Sequence, residues 1–348
     1  MILLIRENIE AMEEKCLSPF AFLAKNSQGR EIDEEQDPVR TCFMRDRDRV
    51  IHSKAFRRLK HKTQVYISPT NDHYRTRLTH TLEVNQIAKT IGKGLGLNED
   101  LIEAIALAHD VGHTPFAHTG EEVLNDLVPG GFRHNENSVR VLTKIERGSL
   151  GRGLNLSHEV LDGVLHHSGF GVSKNYAETL EGQIIRLSDK IAYVQHDIDD
   201  SMRAGILREE DLPEKYIEVL GSTHGARIAA LVIDIIEHVS EQLKINPQAL
   251  ISLSPEKEKA LKGLREFMFA NVYKGNYCIQ ERERAIFVVE YLFKYYKKHS
   301  DKLPEFYKEI AREEGLERGV TDYISGMSDN YCVALFKELV VPKSFINK

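Results

Sequence analysis

The sequence predicts an all-α protein. Three observations carry this expectation: apolar residues recur at helical spacing along nearly the whole chain, no stretch alternates apolar and polar residues as a strand would, and neither a Gly-x-Gly-x-x-Gly nor a Walker loop is present. The one β signal is a short strand or hairpin at Gln64–Ile67, just before Ser68-Pro69.

The 348 residues allow one large helical domain or two. Hydrophobic residues at 41% and charged residues at 29% are ordinary for a globular chain and argue against disorder or membrane spanning. The apolar run Met1–Ile5 is broken by Arg6 and Glu7, too early for a signal peptide or a transmembrane helix, so the expected location is cytoplasmic. Cys16, Cys42, Cys278 and Cys332 lie far apart, which signals neither a zinc-thiolate site nor a disulfide framework. A net charge of −6 argues against general coating of nucleic acid.

Taken in order, the chain shows a polar loop at 26–38 and then a basic segment, Arg40–Lys62, with nine Lys or Arg against two Asp. Two readings compete for it: a solvated helix face with pairs such as Asp46–Arg49, or a cradle for a polyphosphate, extended by Arg75 and Arg77. A helix starts at Arg77 and ends near Gly92 and Gly94, and its stripe of Val84, Ile87 and Ile91 carries His80 toward the core. The next starts at Asn98 as N-cap, with Leu97 stapled to Ile102. Ile102, Ile105, Ala106 and His109 share one face, so His109 points inward and brings Asp110 with it.

The stretch 108–122 then packs three histidines, an Asp and two Glu into fifteen residues. Loops follow at 129–131, 148–153 and 168–174, and near Leu212-Pro213 and Ser254-Pro255. A third helix over 181–198 repeats Asp189, Tyr193 and Asp197 on one face, which reads as the wall of a site. From Ser222 onward helices are expected at 231–239, 285–296 and 333–339; Tyr273, Tyr277, Tyr291, Tyr295 and Tyr296 read as core or interface residues without chemistry.

His80, His109, Asp110 and Asp189 together offer two imidazoles and two carboxylates from three helices. A mixed nitrogen and oxygen set suits a divalent cation (Mn, Mg, Fe, Co, Ni or Zn), with positions left for water and a substrate phosphate. The order of His, then His-Asp, then a distant Asp resembles the HD phosphohydrolase superfamily. The runs RTCFMRDRDRVIHSKAFRRLKHKTQV, RLTHTLEV, ALAHDVGHTPFAHTGE, FRHNENS, RLSDKIAYVQHDIDD and the tail VTDYISGMSDNY are similar to bacterial deoxynucleoside triphosphate triphosphohydrolases of the dGTPase type.

That resemblance implies an HD-domain helical bundle with additional C-terminal helices that splits a deoxynucleoside triphosphate (dNTP) into deoxynucleoside and inorganic triphosphate. It implies metal ligands at His80, His109, Asp110 and Asp189; active-site residues at His113, His118, Glu121 and His134; phosphate contacts at Arg77 and Lys190; and sugar contacts at Gln64, Tyr193 and Asp197. It also implies a homo-oligomer and control by a regulatory nucleotide, with single-stranded nucleic acid as a further partner to test, and assigns the membrane no part. The domains expected are an N-terminal helical and basic segment at 1–76, the metal-dependent core at 77–205, and a C-terminal helical region at 206–348 packed on it.

Expelling a 5′-alkoxide demands a general acid. His118, three residues before Glu121, is the better choice on sequence grounds if the segment is helical, because the carboxylate would keep it protonated; His134 is its rival. Two other functions compete with this reading: another HD phosphohydrolase, either a nucleoside 5′-monophosphatase or a nucleotide phosphodiesterase, and a nucleotide-sensing or single-strand-binding regulator with a vestigial metal site.

Overall fold

A computed structural model describes residues 5–64, 74–168, 175–273 and 276–342. Most of the Gln64–Ile67 hairpin, the Ser68–His73 loop and most of the 168–174 loop lie outside them, as do the side chains of Tyr277 and Cys278.

The architecture is helical, as the periodicity predicts, with sixteen α-helices among the described residues and one hairpin of two-residue strands, Arg147–Gly148 with Gly151–Arg152, which overlaps the expected 148–153 loop and begins one residue before it. Its centre is the Glu99–Ala108 helix. Leu101, Ile102 and Ala104–Ala108 are all buried, so from Ala104 on the helix is apolar all round and can be surrounded, while Glu99, Asp100 and Glu103 stay at the surface. It packs against Cys42–His52, Arg77–Leu95, His158–His166 and Leu180–Arg203. Asn98 caps it as expected, accepting from the backbone N–H of Asp100 and Leu101.

The Arg77–Leu95 helix runs further than its glycines suggest. Ile102 and Ile236 sit where side chains on Gly92 and Gly94 would lie, and the left-handed residue that stops the helix is Gly96, at φ 68°. The Leu180–Arg203 helix is likewise longer than read, at 24 residues. The expected C-terminal helices fall within His224–Ile245, Asn276–Lys298 and Asp329–Val340. Among the described residues no single helix is long and apolar enough to cross a membrane.

Two hydrophobic cores result. The larger gathers the helices named around Glu99–Ala108. The second joins Phe116, Val123, Leu124 and Phe132 to Val289, Leu292, Val320, Ile324 and Met327 of the C-terminal helices. Residues between 116 and 132, straight after the His-Asp pair, are therefore held by the far end of the chain.

Candidate active site

His80 lies one turn into the Arg77–Leu95 helix and is buried, with its Nε2 3.0 Å from Asp189 Oδ1 and 3.8 Å from Asp110 Oδ2. His109 follows the last turn of the Glu99–Ala108 helix. Its Nδ1–H donates to the carbonyl of Ala106 at 2.6 Å, which leaves Nε2 as the free nitrogen. That Nε2 is buried without a hydrogen-bond partner, 3.6 Å from Asp110 Oδ2.

The ligand atoms of His80, His109 and Asp110 lie within 4.8 Å of one another, and Asp189 is tied to them through His80. An orphaned, inward-facing imidazole nitrogen beside two carboxylates fits a divalent cation, because an unpartnered buried polar atom otherwise costs about 1–3 kcal/mol. Burial pushes the Asp110 carboxyl up, but His109 and the Arg77 guanidinium outweigh it and hold the group well below the usual range; Arg77 Nη1 donates to Asp110 Oδ2 at 2.7 Å. Asp189 is pulled the same way, burial being outweighed by its bond to His80.

The turn after Asp110 is clamped by a neighbouring helix. A side chain on Gly112 would lie 2.1 Å from the backbone nitrogen of Ser138, so only glycine allows the approach. Ser138 Oγ accepts from Gly112 N–H and donates to the carbonyl of His109, while Asn137 donates to the carbonyl of Gly112. This accounts for the Asn-Ser end of the 132–138 run. Further on, Phe116 and Ala117 both take left-handed conformations, φ 61° and 53°, which non-glycine residues adopt at a cost of roughly 1–2 kcal/mol each. Asp329 holds them there: its Oδ1 accepts from Phe116 N–H at 3.0 Å and its Oδ2 from Thr63 N–H at 2.8 Å and from the Thr63 hydroxyl.

The left-handed pair aims the Ala117–Leu127 helix into the site. His118 and Glu121 meet across one turn, as their spacing predicts, with Nδ1 to Oε2 at 3.2 Å. Glu121 has a second partner: His134 reaches it through Nδ1 at 2.9 Å and through its backbone N–H at 2.8 Å. Burial raises the Glu121 carboxyl, but the bonds to His118 and His134 win and keep it ionised. Burial alone would lower His134, and Glu121 turns that into a net rise. The two histidines differ in freedom: the His118 side chain is 62% exposed and that of His134 only 13%. His113 stacks on His134 with ring centroids 4.1 Å apart, and burial together with Arg77 holds it neutral.

These groups line one cleft of about 580 Å³, which also contains Gln64, Lys190, Tyr193 and Asp197. All the sequence-predicted site residues line it save His109, which is reached through Asp110. Asp189, Tyr193 and Asp197 form the wall read from their i, i+4, i+8 spacing. Burial, then Arg186, lowers Lys190 to about 8.

Several lining residues escaped the sequence reading. Tyr273, read as chemically silent, stacks on Tyr193 at 6.2 Å and donates its hydroxyl to Asp197. It ends a π-helical turn, Phe269–Tyr273, whose wider winding turns both aromatics toward the cleft. His167 was also missed, although Val160, Val164 and His167 fall at i, i+4, i+7, the same stripe-ending pattern that betrays His109.

The basic segment corrects one expectation. Arg45 and Arg49 pair with Glu34, Arg47 with Asp48 and Asp100, and Arg40 with Asp37 and Asp48. Asp46 is buried against Arg30 and Ser157 rather than paired with Arg49. Arg75 is held by Glu83, Asp199 and Asp200. The arginines of 40–49, with Arg75, are thus tied to acids of the fold, and none of them lines the cleft described above. Local acids, Asp37, Asp48 and Glu83, share in these pairs with Glu34, Asp100, Asp199 and Asp200 from further along the chain.

A buried His/His-Asp/Asp cluster inside a helical bundle defines the class as an HD-domain phosphohydrolase. Residues 77–194 match the HD domain, and residues 251–338 match the phosphohydrolase-associated domain. Full-length relatives narrow the class. The chain is 59% identical over 344 residues to a deoxyguanosinetriphosphate triphosphohydrolase-like protein of Clostridium tetani, covering 98% of each chain. It is 56% identical to one from Clostridium perfringens (97% of this chain, 98% of the relative) and 51% to one from Caldanaerobacter subterraneus (99% and 98%). The chain belongs to this family of deoxyguanosinetriphosphate triphosphohydrolase-like proteins in the HD superfamily.

Proposed function

We propose that the protein hydrolyses deoxynucleoside triphosphates, dGTP among them, to deoxynucleoside and inorganic triphosphate. The observation that carries this reading is the convergence, in one cleft, of a His/Asp cluster fit to hold a metal, a carboxylate-bound histidine pair and a stacked tyrosine wall. The relatives' names point the same way.

In this reading His80, His109, Asp110 and Asp189 would hold a divalent ion, which would supply Lewis acidity toward the phosphates and lower the pKa of a bound water. Arg77 and Lys190 bind phosphate oxygens; Arg77 does so from a side chain already fixed by Asp110 and by the carbonyl of Thr63. His113, neutral, keeps a buried Nδ1 without a partner and serves as a hydrogen-bonding group toward the phosphates.

His118 donates the proton to the departing 5′-oxygen. It is the more exposed of the two histidines on Glu121, whereas His134 is committed at both ring nitrogens, Nδ1 to Glu121 and Nε2 to His167 at 3.3 Å. Gln64, Tyr193 and Asp197 take the sugar. Tyr193 is pinned by Tyr273, and a rigid aromatic face against C2′ excludes a ribose hydroxyl, which would otherwise be desolvated without a partner at about 1–3 kcal/mol.

Incubation with each of the four dNTPs and Mn²⁺ or Mg²⁺, followed by chromatography, tests the reading. Release of free deoxynucleoside with no monophosphate intermediate is the expected result. Accumulation of deoxynucleoside monophosphate, or no turnover of any dNTP with either metal, would reject it.

A further inference from the structure

The two histidines of the cluster are oriented by different means. His109 stands just past the end of its helix, where the last carbonyls lack intrahelical partners, and its Nδ1–H takes the carbonyl of Ala106. His80 has no such carbonyl at hand. It lies in the first turns of the Arg77–Leu95 helix, where the Thr76 carbonyl accepts from the His80 N–H and the Arg77 carbonyl from the Thr81 hydroxyl. A side chain faces it instead: His80 Nδ1 lies 3.5 Å from Nδ1 of His196, with the two rings at right angles. His196 is buried, and nothing in the proposed reaction uses it.

The contacts of His196 decide which of the two facing nitrogens carries the hydrogen. Its other nitrogen, Nε2, is in contact with Glu83 Oε2. Glu83 lies about one turn beyond His80 on the same helix, and Arg75 grips both of its oxygens through Nε at 3.2 Å. Asp199 and Asp200 anchor Arg75 in turn, each 2.7 Å from Nη1. A carboxylate so held can only accept, which puts the His196 hydrogen on Nε2 and leaves its Nδ1 bare. A histidine that binds a cation through Nε2 gives its Nδ1–H to an acceptor, and the bare Nδ1 of His196 is one. His80 Nε2 then points the other way, toward Asp189 at 3.0 Å and Asp110 at 3.8 Å.

From these contacts we infer that Glu83 and His196 are positioning residues of the metal centre: Glu83 fixes the hydrogen of His196 on Nε2, and His196 holds the His80 ring by accepting its Nδ1–H. The inference rests on the reading of His80 as a metal ligand. It also gives Arg75 a part in the site although Arg75 does not line the cleft, because the chain of contacts runs from Asp199 and Asp200 through Arg75, Glu83 and His196 to His80.

The experiment has two parts. Mn²⁺ is titrated into the metal-free protein and followed by electron paramagnetic resonance in wild type, His80→Ala, Glu83→Leu, His196→Leu and His196→Asn; hydrogen positions are read by nitrogen NMR of histidine-labelled wild type loaded with Zn²⁺. Wild type should hold an equivalent of Mn²⁺ that His80→Ala loses. Its absence from wild type, or its retention in His80→Ala, refutes the reading of His80 as a ligand and the inference with it. Glu83→Leu and His196→Leu should each weaken that equivalent by roughly 10–100-fold. His196→Asn, whose side-chain carbonyl can accept in place of Nδ1, should recover most of the affinity. Leu and Asn are close in size, so equal losses in the two His196 variants would mean that His196 only fills space; that result, or an affinity unchanged by either Leu substitution, overturns the inference and leaves the metal site standing. The NMR of wild type decides even if the variants fail to fold: hydrogen on His196 Nε2 with Nδ1 bare is expected, and hydrogen on His196 Nδ1 overturns the inference.

Discussion

Glu121 serves two histidines at once, and this makes the site's residues separable by experiment. His118 is exposed and contacts Glu121 through one nitrogen, so its loss should leave the metal cluster and the cleft intact. His118→Ala is expected to lower kcat by roughly 10²–10⁴ with metal content unchanged. A substrate with a nitrophenol leaving group, which needs little protonation, should recover most of that loss. If it instead rescues His134→Ala and leaves His118→Ala slow, the proton comes from His134.

A second residue-level prediction concerns stability. Glu181 is fully buried and ties the N-terminal segment to the central helices, its Oε1 accepting from the backbone N–H of Phe22 and Asn98. Burial raises its carboxyl to about 7, against the pull of those two bonds, and Oε2 has no partner. A carboxyl raised on folding favours the folded state below its unfolded pKa and loses that contribution as pH rises through the folded value. Stability should therefore fall between about pH 4.5 and 7 by an amount on the order of 3 kcal/mol from this group. Urea unfolding of wild type and Glu181→Gln at several pH values checks it: the fall should flatten in the variant, and parallel curves would contradict the assignment.

At the scale of elements, the C-terminal helices act on the catalytic turn. Lys62 donates to the carbonyls of His113 and Ser325, and Asp329 holds Phe116 and Thr63. The second core fastens the Ala117–Leu127 helix to Val320, Ile324 and Met327. Asp329→Ala leaves two buried N–H groups unpartnered and should cost ~2–4 kcal/mol of stability. It should also lower kcat through the loosened Phe116-Ala117 turn while metal content holds. A lower Tm with unchanged kcat would show that the turn keeps its shape unaided.

This element scale also marks where sequence reading stops. Helix starts at Asn98 and near Arg77 were legible because caps and apolar stripes are local signals. The inward position of His80 and His109 was legible for the same reason, since both fall on predictable apolar stripes. What the sequence hid was pairing at a distance: Glu34 with Arg45 and Arg49, Asp329 with Phe116, and Tyr273 with Asp197 all join residues whose proximity only the packed fold creates. The length of the Arg77–Leu95 helix was misjudged because a glycine reads as a stop when it is in fact a contact point for Ile102 or Ile236.

For the whole molecule, the cleft joins two chemistries that neither core holds alone. The larger core carries the elements that bear His80, His109, Asp110 and Asp189, while the second fixes the segment bearing His118 and Glu121. Attack at the α-phosphate with protonation of the 5′-oxygen is the reaction this division suits, since it needs an acid at the departing 5′-oxygen, opposite the attacking water. The direct test is phosphorus NMR of dGTP turnover in ¹⁸O-enriched water. The account predicts inorganic triphosphate as the only phosphorus product, with a single ¹⁸O on a terminal phosphate. Pyrophosphate with deoxynucleoside monophosphate, orthophosphate with diphosphate, or triphosphate free of ¹⁸O would contradict it.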